Sequence, residues 1–284
     1  MTNRGVIESS LVVTGSAGRV GRALRSVWGD HVAGMPVVWS ARNPGQSIDL
    51  MWNIGVEPAP PLPNRAIFLH LAGQTRGSVE ELAENRRSVA FLCEKAKDSE
   101  ARYVFFMSSV AVYRPEPGLI AEDHRADPQN DYGRAKFAAE DAARIALPSG
   151  LTVLRLGNLA GADTLLTSAR NGPVALDPVE HQPGGPERSY IGPQMFAKVL
   201  AELIGLAAKG AVLPDILNLA QPPALRMADL LTAAGATWHY GPKRTGVIPR
   251  MDVDVSRLSS LVDLPNATAA AVIADMNGLK GRWP

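Results

Sequence analysis

Cysteine, long apolar runs and net charge are scarce in this chain. Cys93 is its one cysteine, so an internal disulfide is excluded and the thiolates for a cysteine-based zinc site are lacking. No apolar run approaches the roughly 18 residues that span a bilayer, and no charged segment followed by an apolar core opens the chain. A formal charge of +1 gives no electrostatic basis for binding nucleic acid or an anionic membrane. We therefore expect a cytoplasmic protein with no nucleic-acid or membrane partner and no metal site.

What the chain does contain is apolar sequence in short blocks, alternating with stretches of helical pattern. Hydrophobic residues make up 46% of its 284 residues and charged residues 20%, which is ordinary for a globular protein with one large α/β unit or two joined domains. Apolar blocks at residues 11–14, 37–40, 66–73 and 103–107 predict parallel strands buried on both faces, and residues 78–99 predict a helix. This alternation is typical of a doubly wound parallel sheet, whose ligands collect at the carboxyl ends of the strands.

The first apolar block runs into three glycines spaced three apart, and a helical pattern follows. Gly15, Gly18 and Gly21 therefore form a tight turn between a strand and a helix. Glycine lets the backbone approach a pyrophosphate, and the N–H groups and dipole at a helix N-terminus favour its negative charge. The spacing is GxxGxxG rather than the GxGxxG of ordinary dinucleotide folds. In this position it predicts a Rossmann-type cofactor site rather than a plain turn.

The end of the second block bears on the choice of cofactor. In this fold an acid there bonds the 2′-hydroxyl of NAD, whereas an arginine accommodates the 2′-phosphate of NADP. Ser40 and Arg42 occupy this region and no acid does, which favours NADP; the alternative is that Arg42 is a solvated turn residue. Residues 48–50 predict a short third strand, in which Asp49 can accept a hydrogen bond from the adenine amino group.

A second group of polar residues follows the strand at residues 103–107. Ser109 stands at the end of this strand, and Tyr132 and Lys136 lie four residues apart, so they share one helical face. A nearby ammonium lowers the pKa of a phenol from about 10, which would make Tyr132 a general acid/base near neutral pH. The Ser109 hydroxyl can hold the substrate oxygen. His70, inside an apolar block, is instead predicted to be a core histidine with its hydrogen bonds satisfied.

Together these motifs resemble the extended short-chain dehydrogenase/reductases, the NAD-dependent epimerase/dehydratase family of sugar-nucleotide enzymes. The resemblance rests on residues 14–21 (TGSAGRVG), 70–73 (HLAG), 108–113 (SSVAVY), 132–136 (YGRAK), 154–161 (LRLGNLAG), 218–220 (NLA) and 254–258 (DVSRL). It spans nearly the whole chain and implies an α/β fold, a Rossmann-type doubly wound parallel sheet with a small C-terminal substrate lobe. Residues 1–157 plus about 190–222 would form the NAD(P)-binding domain, and residues 158–189 plus 223–284 the lobe.

The resemblance also implies roles for individual residues. Tyr132 would be the general acid/base, Lys136 would lower its pKa and bond the nicotinamide ribose, and Ser109 would bond the reacting oxygen. Asn158 and Arg188 would contact the substrate, Arg188 through phosphate oxygens that match its guanidinium. The expected cofactor contacts are Gly15, Ser16, Ala17, Gly18, Arg19, Val20, Gly21, Ser40, Arg42, Asp49, Leu50, Leu71, Ala72, Gly73, Met107, Tyr132, Lys136 and Leu156.

The chain departs from the family pattern in three places. Residues 192–195 (GPQM) stand where a His-Val-x-Asp run is usual, and the segment between Asn158 and Arg188 is short and rich in proline. No Asp-Glu pair follows Ser109, as it does in the dehydratases of this family. The short segment predicts a small substrate lid, and the missing acid pair disfavours 4,6-dehydration.

The sequence thus predicts an NAD(P)-dependent oxidoreductase or epimerase that transfers a hydride at a carbinol or carbonyl carbon of a sugar or sugar-nucleotide-like substrate. NADP is favoured over NAD, and both epimerisation and net reduction remain open. A catalytically silent NADP-binding regulator or scaffold of the same fold is the alternative, which loss of Tyr132 or Lys136 would have favoured. The resemblance also implies a homodimer formed by the helices after Glu80 and after Tyr132.

Overall fold

The structure is a computed structural model that describes residues 10–45, 48–279 and 281. Its strands are β1 Leu11–Thr14, β2 His31–Val32, β3 Met35–Ala41, β4 Leu50–Met51, β5 Ile67–His70, β6 Tyr103–Ser109, β7 Leu119–Ile120, β8 Leu151–Leu156, β9 Asn158–Leu159, β10 Val174–Leu176, β11 Glu187–Ile191, β12 Ile216–Leu219, β13 Gln221–Arg226, β14 Trp238–Tyr240 and β15 Arg250–Val253. Its α-helices are α1 Arg19–Trp28, α2 Val79–Asp98, α3 Asp131–Ala146, α4 Thr164–Ala169, α5 Pro193–Ala208, α6 Met227–Ala233, α7 Ser256–Ser259 and α8 Ala269–Asn277.

The main sheet has the strand order β12-β8-β6-β5-β1-β3-β2, with β4 beside β3. Its neighbouring strands run parallel, except that β2 and β3 are antiparallel. The chain leaves β1 toward β3 on one side and later continues through β5 on the other, so a crevice opens at the carboxyl end of β1. The predicted α/β class with a doubly wound, mainly parallel sheet is confirmed.

Helices cover both faces of this sheet, which explains why its strands are apolar throughout. Leu11 and Val13 belong to the core under α1 and α5, whereas Val12 belongs to the core under α2 and α3. All three are fully buried, and each such side chain stabilises the fold by about 1.5–3 kcal/mol. In the described ranges, no helix is both long and apolar enough to cross a membrane.

A second, smaller sheet has the order β13-β11-β15-β7, with β9 beside β11. Helices α4, α6 and α8 pack around a separate apolar cluster beside it, which includes Leu165, Tyr190 and Leu230. The strand β7 comes from residues 119–120, whereas the other strands of this sheet follow residue 157. The division of the chain into a cofactor domain and a substrate lobe, at the boundaries given above, stays a prediction.

The start of α5 shows what stands in place of the His-Val-x-Asp run. Gly192 is the N-cap and has no side chain to cap the helix; instead, Asp275 of α8 accepts hydrogen bonds from the N–H groups of Gln194 (2.7 Å) and Met195 (3.0 Å). A Cβ on Gly192 would lie 2.5 Å from Asp275 Cγ, so glycine is what allows α8 to approach. The C-terminal helix therefore caps α5.

Candidate active site

The glycine turn after β1 is packed too closely for side chains. Gly15 has φ +71°, and a Cβ on it would lie 2.5 Å from the Ala72 nitrogen, in the connection that follows β5. A Cβ on Gly21 would lie 2.5 Å from Ser16 Cα, and one on Gly18 would lie 3.1 Å from the Gly15 carbonyl oxygen. Main-chain atoms cannot swing aside as side chains do. The turn itself therefore requires Gly15 and Gly21.

This turn leads into the N-terminus of α1 at the carboxyl edge of the sheet. The N-cap is Gly18, no side chain of the described residues caps it, and the first turn of the helix carries no acidic residue. Ala17, Gly18 and Arg19 are exposed here, Val20 is half-buried and Ser16 is buried. The N–H groups and the positive end of the helix dipole favour an anion. The residues present therefore fit the pyrophosphate of a dinucleotide.

Ser16 ties the glycine turn to the end of β3. Its N–H and its hydroxyl both donate to the Ser40 carbonyl oxygen, at 3.1 and 2.9 Å, and Arg25 Nη2 donates to its Oγ at 3.1 Å. Arg25, which sequence reasoning missed, lies over the Trp39 ring at 4.9 Å from the centroid. The Ser16 hydroxyl is thus engaged within the protein, and what it leaves for a cofactor is the backbone around it.

The residues predicted to hold the adenosine lie at the ends of β3 and β4. Ser40 is buried and pairs in register with the half-buried Leu50, whereas Arg42 and Asp49 are exposed. Asp49 Oδ2 accepts a hydrogen bond from the Trp39 N–H at 2.8 Å. One oxygen of the Asp49 carboxylate is therefore engaged by the main chain of β3.

The connection after β5 reaches the same edge of the sheet. Its predicted cofactor residues are the half-buried Leu71 and Ala72 and the exposed Gly73. Asn85 of α2 holds the next residue, since its Oδ1 accepts from the Gln74 N–H (2.7 Å) and its Nδ2 donates to the Gln74 carbonyl (2.9 Å). A Cβ on Gly73 would lie 3.2 Å from Lys136 Nζ, which joins this connection to α3.

Helix α3 is set by a local cap and a close approach. The Asn130 side chain accepts from the Gly133 N–H at 2.8 Å, which starts the helix at Asp131. A Cβ on Gly133 would lie 2.1 Å from the carbonyl oxygen of Ala111, so a side chain there would push α3 away from the 3-10 turn that follows β6. This contact holds Tyr132, the next residue back, beside the end of β6.

Ser109, Tyr132 and Lys136 converge at this point. The Ser109 side chain lies near Tyr132 and acts to lower its pKa, and Ser109 Oγ accepts a hydrogen bond from a backbone N–H of the 3-10 turn that follows β6 (3.2 Å). Lys136 is buried, and its Nζ donates to the Met107 carbonyl oxygen at 2.9 Å. Met107 and Leu156 are themselves buried near the ends of β6 and β8. The structure thus brings the three proposed catalytic side chains together.

Burial dominates the ionisation of these groups. It raises the pKa of Tyr132, and the nearby Ser109 side chain offsets part of that effect. It lowers the pKa of Lys136 to about 8, against an opposing effect of the Glu140 carboxylate. In the protein by itself the ammonium is bound to a main-chain carbonyl and burial outweighs the other influences on the Tyr132 pKa, so the lowering of that pKa by Lys136 stays a prediction.

A buried ion pair beneath this group was missed by sequence reasoning. Glu140, which is fully buried, accepts from Ser108 Oγ (2.6 Å) and from Arg155 Nε (3.0 Å) and Nη2 (2.7 Å). Removing one partner of such a pair costs about 3–5 kcal/mol, because the other charge stays buried. The available signals were an acid one helical turn beyond Lys136 and a lone arginine within the apolar strand β8.

The predicted substrate residues lie in the second sheet. Asn158 is half-buried, and its Nδ2 donates to the Ser189 carbonyl at 3.3 Å. Arg188 donates to the carbonyl oxygens of Glu187 (2.7 Å) and Ile248 (2.9 Å), and burial lowers its pKa. Two nitrogens of this guanidinium are therefore held by the main chain.

A doubly wound sheet with a glycine turn, and a Ser-Tyr-Lys group at the carboxyl ends of its strands, defines the class of extended short-chain dehydrogenase/reductases. The chain belongs to the NAD-dependent epimerase/dehydratase family, whose model matches residues 11–172. The predicted family resemblance is confirmed. A search of curated proteins gave no significant match.

Among the solved structures of similar fold are three that are named as epimerases or dehydratases of nucleotide sugars. A UDP-galactose 4-epimerase is 19% identical, with a TM-score of 0.75 over 96% of this chain and 100% of its own. A UDP-glucose 4-epimerase from Bifidobacterium longum, in complex with NAD+ and UDP, is 18% identical, with a TM-score of 0.75 over 96% and 99%. A dTDP-glucose 4,6-dehydratase from Streptomyces venezuelae is 16% identical, with a TM-score of 0.71 over 96% and 98%. At these identities the likeness shows the fold.

Proposed function

We propose that the protein is an NAD(P)-dependent epimerase or reductase that transfers a hydride at a carbinol or carbonyl carbon of a sugar or sugar-nucleotide-like substrate. The observation that carries this proposal is the grouping of Ser109, Tyr132 and Lys136 at the end of β6, where Ser109 lies near enough to Tyr132 to lower its pKa and Lys136 Nζ donates to the Met107 carbonyl oxygen. The glycine turn and the start of α1, which no side chain of the described residues caps, lie at the same edge of the sheet. Family membership supports nucleotide-dependent chemistry at that edge.

In this proposal a bound NAD(P) supplies or accepts the hydride, and the chain handles the proton and the alignment. Tyr132 takes the hydroxyl proton of the substrate during oxidation and returns it during reduction. Ser109 hydrogen-bonds the same substrate oxygen. Lys136 bonds the nicotinamide ribose and brings its positive charge toward the phenol, which counteracts the effect of burial on the Tyr132 pKa.

The proposal keeps both cofactors, with NADP favoured. Arg42 is exposed at the end of β3, where a 2′-phosphate would lie in this fold, and β3 itself contains no acid. In support of NAD, structural relatives such as the Bifidobacterium longum epimerase are named as NAD complexes. A charge-reversing Arg42→Glu variant separates the two, because it should weaken NADPH binding and leave NADH binding nearly unchanged.

The reaction is proposed to be epimerisation or reduction rather than 4,6-dehydration. Val110 and Ala111 follow Ser109 in the 3-10 turn, where a dehydratase of the family would carry an acid pair. Asn158 and Arg188 are kept as substrate contacts in the proposal, which also retains a homodimer through α2 and α3. These two helices pack against each other on one face of the sheet.

The first experiment identifies the nucleotide. The purified protein is denatured, and the absorbance and mass spectra of the released material are measured. Stoichiometric NAD would favour an epimerase that recycles its cofactor, and would count against the argument from Arg42. An empty protein that NADPH stabilises more than NADH would favour a reductase, since ligand-linked stabilisation grows with concentration over Kd. Stabilisation by neither would contradict the proposal.

The second experiment tests the acid/base. With a panel of UDP- and dTDP-hexoses, formation of reduced nicotinamide should fall by about 10²–10⁴-fold in Tyr132→Phe, with NADH binding retained. Tyr103→Phe is the matched control, since its hydroxyl bonds Thr152 at the opposite end of β6. Unchanged turnover in Tyr132→Phe would exclude Tyr132 as the acid/base, whereas a parent that binds the cofactor but turns over none of these substrates would favour the silent regulator.

A further inference from the structure

His70, the last residue of β5, is fully buried with half of its imidazole unsatisfied. Its Nδ1 lies 2.7 Å from Thr14 Oγ1, but its Nε2 has no hydrogen-bond partner among the residues that the structure describes. A buried polar atom without a partner costs about 1–3 kcal/mol. The prediction of a core histidine is therefore confirmed by its burial, but only one of its two ring nitrogens has a partner among the described residues, and packing alone does not account for the other.

The register of the sheet shows where Nε2 points. Thr14, His70 and Phe106 stand side by side on β1, β5 and β6. Since Nδ1 faces Thr14 on β1, Nε2 on the far side of the ring faces β6 and α3. Lys136 extends from α3 into this region, where its Nζ donates to the Met107 carbonyl oxygen. Two distances to the Phe106 ring centroid place both groups beside this ring: 5.1 Å for Lys136 Nζ and 5.8 Å for the His70 ring centroid.

Electrostatics then selects one form of the imidazole. Burial, reinforced by the charge of Lys136, lowers the pKa of His70 to about 3, so the ring is neutral at working pH. With the proton on Nδ1, the ring donates to Thr14 and turns the Nε2 lone pair toward the ammonium. The other tautomer would direct an N–H group at a cation. The first tautomer is therefore preferred.

We propose that His70 is a positioning residue for Lys136, whose protonated form it stabilises through the Nε2 lone pair. This inference rests on the proposed function, because Lys136 is one of its residues. The other titratable or charged groups that bear on this pair are Tyr132 and Glu140 on α3 and Arg155 on β8, the last held by Glu140. From α2, the uncharged Asn85 lies against Gly73 beside Lys136.

The proposal predicts a pH effect on cofactor binding. NADH carries an anionic pyrophosphate and ribose hydroxyls, so it binds better to the protonated lysine. Its Kd therefore rises as the pH increases through the pKa of Lys136 in the free protein, about 8. The pH at which the Kd begins to rise is called the break. Removing the Nε2 acceptor disfavours the buried ammonium and moves the break to lower pH, by about one unit.

The test is a fluorescence titration with NADH at a series of pH values on either side of the break. His70→Leu should shift the break downward. His70→Gln places an amide oxygen near the position of Nε2 and should keep it, whereas His70→Asn reaches only the position of Nδ1 and should shift it. Phe68→Leu, on the same strand and the same buried face, is the matched control and should keep it.

The outcomes separate this inference from the proposed function. If Lys136→Met removes the break but His70→Leu and His70→Asn leave it in place, His70 has no positioning role and the proposed function stands. If Lys136→Met leaves the break in place, or the protein binds neither NADH nor NADPH, both proposals fall. Should His70→Leu fold poorly, the difference between the Gln and Asn variants decides the matter.

Discussion

Helices α1 and α5 pack together on one face of the main sheet, and each begins at a glycine N-cap, Gly18 in α1 and Gly192 in α5. Neither glycine has a side chain to accept hydrogen bonds from the N–H groups of the first turn, and neither first turn contains an acid. At α5, two of these groups bind the Asp275 carboxylate of α8. At α1, no side chain of the described residues takes this place, and the end of the helix is exposed.

The difference indicates that the same local feature, a helix that begins at a glycine N-cap, can serve two purposes. A helix N-terminus favours an anion, and α5 receives its anion from a residue 81 positions away in the chain. Under the proposed function, the anion for α1 is the pyrophosphate of the cofactor. We therefore expect the capped N-terminus of α5 to contribute stability and, under the proposed function, the N-terminus of α1 to contribute binding. Variants at the two helix N-termini test this comparison by measuring stability and NADH binding separately.

The largest effect is expected where α1 meets its own turn. Gly21→Ala should destabilise the protein by about 1–3 kcal/mol and abolish measurable NADH binding, because the new Cβ meets the Ser16 main chain at 2.5 Å. Chemical denaturation and NADH titration measure the two effects. Gly205→Ala within α5, where the Cβ would meet Ala33 at 3.7 Å, should instead be neutral or stabilising. If Gly21→Ala and Gly205→Ala had the same free energy of unfolding and the same affinity for NADH, the close packing of the turn would be contradicted.

Next in size is a charge reversal at the open N-terminus. Arg19→Glu should weaken NADH binding by about tenfold or more, since the added carboxylate competes for the same N–H groups and repels the pyrophosphate. Its free energy of unfolding should change by no more than about 1 kcal/mol. Arg22→Glu, an exposed site further along the same helix, is the matched control and should bind nearly as well as the parent. Parity between them would argue against an anion site at α1.

Removing the cap of α5 should affect stability but not binding. Asp275→Ala should lower the free energy of unfolding by about 0.5–2 kcal/mol, the usual cost of losing an N-cap, and leave the Kd for NADH unchanged. Asp263→Ala, which breaks an exposed ion pair with Lys198, should cost less than about 1 kcal/mol. A loss of NADH binding in Asp275→Ala would show that the two helix ends are not independent.

The smallest effect concerns pH. Burial raises the pKa of Asp275, and its two backbone hydrogen bonds offset part of the shift, so the folded state takes up the proton more readily than the unfolded one. The parent should therefore gain stability relative to Asp275→Asn as the pH falls toward the pKa of this carboxyl, by about a few tenths of a kcal/mol. Denaturation curves of both proteins at neutral and mildly acidic pH measure the difference. If the parent instead lost stability relative to Asp275→Asn as the pH falls, folding would lower the pKa of Asp275 rather than raise it.

Much of the fold was predictable because its signals are local. The apolar block at residues 103–107 lies within β6 Tyr103–Ser109, and the helix predicted at residues 78–99 is α2 Val79–Asp98. The candidate site was predictable in its composition but not in its contacts. That Arg188 is held by main-chain oxygens and that the Ser16 hydroxyl is engaged by Ser40 follow from packing between distant segments, which no spacing rule contains.

The sequence by itself determined the class of this protein, since apolar periodicity specifies strands and the glycine spacing specifies a strand–turn–helix unit. The tertiary structure decided how each charge is satisfied. Glu140 pairs with Arg155, Asp275 caps a helix far from it in the chain, and His70 and Lys136 both lie against Phe106. Burial makes every unpaired charge or polar atom costly, so partners are selected by proximity in the folded chain rather than by order along it.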